Sequence, residues 1–257
     1  MQLTLNDASW YVEEWGMGEP QVLMLHGWGC DHTFFRPVAQ ELSRDRRVLV
    51  PDFPAHGSSE KPPRPWNVGD FEQGVAELIR TQMHAPVDIV AHSFGVRVAI
   101  KLSAEHPDLV HRMVLTGAAG IRKPLTDEQK KKSEAFQRKK RFYDRLASVP
   151  FLSKPAAHYK EALIQRHGSP DYLALDEEMR KTFVKVINED LTELLPAIQA
   201  STLLVFGEQD TETPLWMGQK MEALIPDAGL VVFENDDHFA FLHQWERFNT
   251  IVRTFFQ

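Results

Sequence analysis

The sequence predicts a doubly wound α/β fold: a mostly parallel sheet covered by helices on both faces, with a helical segment inserted between two of its strands. Three observations carry this. Apolar runs of strand length recur at 21–25, 47–51, 87–91, 112–116, 202–206 and 229–233 of the 257-residue chain. Near-continuous hydrophobicity in so short a run means burial on both faces, as in a parallel sheet between helical layers. Helical patterns separate the runs, and strand–helix alternation is how parallel crossover units read in sequence. Residues 121–195 then break the rhythm with no strand-like run at all.

Each element has its own reason. Leu3–Trp15 reads as a hairpin at the sheet edge, turning near Asn6-Asp7. Lys61-Pro-Pro-Arg-Pro65 is a stiff loop rather than a linker. Phe71, Val75, Leu78 and Ile79 fall on one helical face, as do Phe241, Leu242, Trp245, Phe248, Ile251, Val252 and Phe255. Within 121–195, Thr126 and Gln129 form a capping box, and Ser169-Pro170 is a cap followed by a first-turn proline. Residues 1–120 and 196–257 are therefore assigned to the sheet core and 121–195 to a helical cap. From Arg122 to Arg145 that cap carries ten Lys or Arg against four Asp or Glu, inside a chain of net charge −7.

Bulk properties narrow the field. The acidic balance disfavours nucleic acid as a partner, which wants a basic face. The single cysteine, Cys30, excludes an internal disulfide framework and reads as a packed thiol. Neither a secretory signal nor a membrane-spanning run is visible, so a cytoplasmic address is expected. No metal-ligand spacing and no phosphate loop occur.

The chemistry centres on Ala91-His92-Ser93-Phe94-Gly95, directly after the run at 87–91. A serine flanked at −2 and +2 by small residues, between a buried strand and a helix, sits on a turn too sharp for bulk. Its backbone is strained and its hydroxyl stands clear at the sheet edge. A hydroxyl needs a base, and the base an orienting acid. Asp210 follows the strand at 202–206, and His238 follows the strand at 229–233. Loops at the carboxyl ends of parallel strands converge on one side of such a sheet. Glu208, Glu212 and Asp237 are the alternative acids. His92 should point away from Ser93 across the sheet, and His26 and His56 should brace their Gly-flanked loops.

These motifs, with His26-Gly27-Trp28-Gly29 after the first run, Asp52-Phe-Pro-Ala-His-Gly-Ser-Ser59 and the segment Gly207–Pro214, resemble the α/β-hydrolase superfamily, serine type, with a helical cap. The chain order Ser93, Asp210, His238 matches that family's triad. The resemblance implies an oxyanion hole from the N–H groups of Trp28 and Phe94, and no cofactor. It also implies cleavage of a small-molecule carboxylic ester through an acyl-enzyme on Ser93. His26, Gly27, Phe239, Phe142 and Tyr143 are the candidate pocket residues. Runner-up activities within the family are carbon–carbon bond hydrolysis and cleavage of a carrier-protein ester or thioester; a ligand receptor on the same scaffold is the non-enzymatic alternative. Serine at 93 disfavours the branches that attack through a carboxylate. The chain departs from the family at Ala91, at Val96 and in Asn235-Asp236-Asp237 before His238. Those two carboxylates are expected to raise the His238 pKa and shift activity to alkaline pH.

Overall fold

A computed structural model describes residues 1–124, 126–149 and 151–257. β1 (Gln2–Leu5) and β2 (Ala8–Trp15) form the hairpin. Its turn residues Asn6 and Asp7 both take positive φ, 43° and 61°, the two-residue geometry whose twist matches that of the flanking strands. β3 (Val22–Leu25), β4 (Val48–Pro51), β5 (Val87–His92), β6 (Val110–Thr116), β7 (Ser201–Gly207) and β8 (Ala228–Phe233) follow. They are the six apolar runs of the sequence, with ends displaced by a residue or two. The strand order is β1-β2-β4-β3-β5-β6-β7-β8. β2 joins β4 antiparallel, and every pairing from β4 to β8 is parallel.

The helices are α1 (Arg36–Leu42), α2 (Val68–Gln82), α3 (Phe94–Glu105), α4 (Asp127–Ala147), α5 (Ser153–His167), α6 (Pro170–Ala174), α7 (Glu177–Asn188), α8 (Leu215–Leu224), α9 (Ala240–His243) and α10 (Trp245–Phe255). Two apolar layers sandwich the sheet. Leu23, Leu25, Ile89 and Ala91 face one side with Phe71, Val75 and Ile79 of α2 and Phe94 and Val98 of α3. Val22, Met24 and Val90 face the other with Val38 of α1 and Phe248 and Val252 of α10. The apolar face expected along 241–255 is interrupted at Gln244, where ψ is 46°. Phe241 and Phe248 are buried on either side of the break, and Trp245 turns outward, 41% exposed.

At the amino-terminal end of β5, buried Asp88 receives Arg46 at 3.1 Å, Arg112 at 3.3 Å and His111 at 3.0 Å. Both arginines also donate to the carbonyl of Phe256. The network ties the carboxyl-terminal helix to the strand that carries Ser93.

The chain divides into two compact units, Met1–Arg122 with Val184–Gln257, and Lys123–Phe183. The insertion is thus shorter than the expected 121–195. Val186, Leu191, Leu195 and Ile198 bury themselves in the α2–α3 layer, which draws the end of α7 and the following turn into the sheet unit. Where the insertion leaves and rejoins that unit, Leu191 N donates to Gly120 O at 2.9 Å and Arg122 to Asn188 Oδ1 at 3.3 Å.

In the inserted unit, α4 opens with the Thr126–Gln129 capping box and α6 with the Ser169 cap on the Tyr172 amide. Lys160 bridges Asp144 of α4 and Glu177 of α7, and Arg180 binds Glu161. Among the described residues, no helix is long and apolar enough to cross a membrane.

Candidate active site

Ser93 is the junction between β5 and α3, with φ 49° and ψ −107°. That is a costly conformation for a residue with a Cβ. It is enforced from both sides. The Ser93 amide donates to Thr116 O at 3.1 Å, and the Gly95 amide to His26 O at 3.1 Å. A Cβ on Gly95 would lie 2.1 Å from Leu25 O, so α3 packs against β3 only with glycine there. The Phe94 amide, at the first position of α3, donates to no group among the described residues. Free N–H groups at a helix start favour negative charge. Val96 is fully buried behind the turn.

Asp210 and His238 meet. Asp210 Oδ2 accepts from His238 Nδ1 at 2.8 Å, which leaves Nε2 as the imidazole's proton acceptor. Three more donors hold the carboxylate: the amides of Glu212 and Thr213 on Oδ1, both at 2.8 Å, and the Thr213 hydroxyl on Oδ2 at 2.7 Å. Burial alone would push the Asp210 carboxyl up. The hydrogen bonds from His238 and Thr213 outweigh it, and Asp210 is held below the usual carboxylate range. Two of the three rival acids are occupied elsewhere: Glu208 accepts from the Asn235 amide and Asp237 from the Phe239 amide.

Two glycines make room for the histidine loop. A Cβ on Gly207 would lie 2.1 Å from Asp237 O, and one on Gly117 would lie 3.0 Å from the His238 ring. Gly117 follows Thr116, the acceptor for the Ser93 amide, so the ends of β5, β6, β7 and β8 assemble in one place. The Ser93 hydroxyl itself makes no hydrogen bond among the described residues.

The loop after β3 passes close to Ser93, since a Cβ on Gly27 would lie 3.4 Å from Ser93 Cβ. The Trp28 ring stands 5.3 Å from Phe94 and 4.9 Å from His56. Phe239 lies 5.4 Å from His238, ring to ring. His26 is not a pocket residue. It is fully buried, Nδ1 contacts Gly27 O at 2.8 Å, and Nε2 accepts from the Phe53 amide at 3.0 Å. Burial lowers its pKa to about 3, so it is a neutral brace between two loops. Phe142 and Tyr143 belong to the inserted unit, where with Tyr159 they line a groove of about 640 Å³ flanked by Arg138, Lys139 and Arg166.

The carboxylates before His238 turn toward a second histidine. Asp236 accepts from His243 Nδ1 at 2.7 Å and from Gln244 at 2.9 Å, and Asp237 lies 3.6 Å from the same His243 nitrogen. The pair stabilises the His243 cation. Two contributors escaped the sequence reading. Thr213 is signalled only by its spacing of three from Asp210, a turn in which the acid accepts from following amides. His92 does lie on the sheet face opposite Phe94, but its ring tip reaches the His238 loop.

Comparison with known proteins finds relatives across nearly the whole chain. Over 91% of its length the chain is 29% identical to the pimeloyl-[acyl-carrier protein] methyl ester esterase of Neisseria meningitidis serogroup B, covering 92% of that protein. It superposes on the meta-cleavage product hydrolase of Pseudomonas fluorescens IP01 with a TM-score of 0.73 at 24% identity, covering 100% and 97% of the two chains. An esterase from Exiguobacterium antarcticum gives a TM-score of 0.75 at 22% identity, covering 99% and 98%. The alpha/beta hydrolase family model matches residues 22–251, and the chain belongs to that family.

Proposed function

We propose that this hydrolase cleaves carboxylic esters through an acyl-enzyme on Ser93. The observation that carries the reading is the 2.8 Å hydrogen bond between His238 Nδ1 and a buried Asp210, set at strand ends beside a strained serine. Ser93 Oγ attacks the ester carbonyl carbon as His238 Nε2 takes the hydroxyl proton. The tetrahedral oxyanion forms against the N–H groups of Phe94 and Trp28, each contributing on the order of 3 kcal/mol. Collapse expels the alcohol, which leaves with the proton from His238. Water then attacks the acyl carbonyl by the same route and frees Ser93. Asp210 fixes the imidazole tautomer and stabilises the imidazolium.

A second reading of the substrate has its own support. α4 has no buried residue and a strong cationic excess, and the Neisseria relative is named for an ester on an acyl-carrier protein. An acidic carrier would dock on α4 by charge complementarity.

The test is turnover of p-nitrophenyl acetate and butyrate with fluorophosphonate labelling. Steady turnover and labelling are expected, with Ser93→Ala losing both by about three decades or more. Retained turnover in Ser93→Ala overturns the acyl-enzyme. Charge reversal at Lys130–Lys132 and Lys139–Arg141 that spares free esters but abolishes cleavage of a carrier-bound ester supports the second reading; equal loss on both rejects it.

A further inference from the structure

His92 ends β5 and is 2% exposed. It takes no part in the reaction just described, yet its ring lies between the two loops that reaction needs. Nε2 is 3.1 Å from the carbonyl oxygen of His238, and the two imidazoles lie 4.8 Å apart. On its other edge, Nδ1 would lie 2.8 Å from a Cβ on Gly27, so the loop before Trp28 rests directly on this ring. Phe241, 4.7 Å away, packs against it from the α9 side.

The chemistry of this contact fixes a protonation state. A backbone carbonyl only accepts, so Nε2 of His92 carries the proton. Burial, reinforced by neighbouring His238, pushes the His92 pKa down to about 3. The ring is therefore neutral at working pH, with its lone pair on Nδ1. A neutral donor suits the place. A second cation beside His238 would oppose the imidazolium formed during proton transfer, whereas an uncharged N–H holds the backbone without that penalty.

We infer that His92 is a positioning residue: its Nε2–H anchors the carbonyl of His238 and so aims the imidazole at Ser93, while the same ring seats the Gly27 loop. The inference rests on the acyl-enzyme reading. A general base displaced by about an ångström loses up to about two decades in rate, so the contact has leverage although it touches no substrate.

The test compares His92→Phe, which fills the space without a donor, with His92→Gln, whose terminal amide reaches about as far as Nε2. With p-nitrophenyl butyrate, His92→Phe should lower kcat by about one to two decades while KM stays within about twofold. His92→Gln should recover most of the loss. A His92→Phe enzyme with unchanged kcat, or a Gln variant no better than Phe, overturns the inference. Imidazole-nitrogen NMR of the unaltered protein decides it even if His92→Phe fails to fold: a proton on Nε2 is required, and a proton on Nδ1 refutes the anchor. Ser93→Ala is measured alongside. If that variant still turns over, the acyl-enzyme reading has failed; if it is dead while His92→Phe is active, the anchor alone has failed.

Discussion

Thr213 grips both oxygens of Asp210, its amide donating to Oδ1 at 2.8 Å and its hydroxyl to Oδ2 at 2.7 Å. The same hydroxyl lies 3.3 Å from His238 Nδ1. Thr213→Val keeps the shape and the amide but frees one carboxylate oxygen to rotate. A hydrogen bond to a charged group contributes about 1.5–3 kcal/mol, so kcat on p-nitrophenyl butyrate should fall by at least about tenfold with KM little changed. An unaltered kcat would show that the backbone amides orient the acid unaided.

Asp210→Asn goes further. It presents an amide where His238 needs an acceptor, and it favours the wrong tautomer. Turnover should drop by about four decades, with the fluorophosphonate labelling rate falling in parallel. A loss under about tenfold would transfer the role to a neighbouring carboxylate.

Gly95→Ala tests the elbow rather than the chemistry. The added methyl meets the backbone of β3, which has no flexible end to move aside. The variant should unfold at markedly lower denaturant, with a cost on the order of 3 kcal/mol or more. A near-normal midpoint would mean that α3 can shift on the sheet.

Asp88→Ala would leave Arg46 and Arg112 facing each other without their shared anion. Stranding buried cations costs on the order of 3 kcal/mol. Chemical denaturation should report that loss, accompanied by early fraying of α10 in hydrogen exchange. A cost below about 1 kcal/mol would show the arginines satisfied by the Phe255 and Phe256 carbonyls.

Glu72 gives stability a pH dependence. It is buried on α2, His106 Nε2 comes no nearer than 3.5 Å, and its Oε1 accepts no hydrogen bond. Burial raises its pKa to about 7 from an ordinary 4.5. The neutral acid is the form the fold prefers, so its contribution is full below the unfolded value and is lost as pH rises through about 7. Glu72→Gln should raise Tm on the order of 3 °C at about pH 8.5 and leave it unchanged near pH 4.5. Equal Tm values at both pH values would place the carboxylate in water.

Much of this was legible in the chain because double-sided burial leaves an unmistakable trace. Ile89–Ala91 and Leu203–Phe206 are apolar without alternation, the pattern of a strand buried on both faces. Ser93, Asp210 and His238 were legible from position, each just past such a run. Side-chain direction was not. Nothing in Asn235-Asp236-Asp237 says that the carboxylates turn to His243, and nothing in His92 says that its ring spans from one face of β5 to the next loop. The end of the insertion was obscured because α7 is amphipathic like its neighbours, and only tertiary packing of Val186 and Leu191 assigns its final turn to the sheet.

The tie between Gly120 and Leu191 has an evolutionary meaning. The exit and return of Lys123–Phe183 are clasped, and each doubling of such a loop's length adds only about 0.6 kcal/mol of closure entropy. A lineage can therefore exchange the whole insertion without renegotiating the strands that hold Ser93.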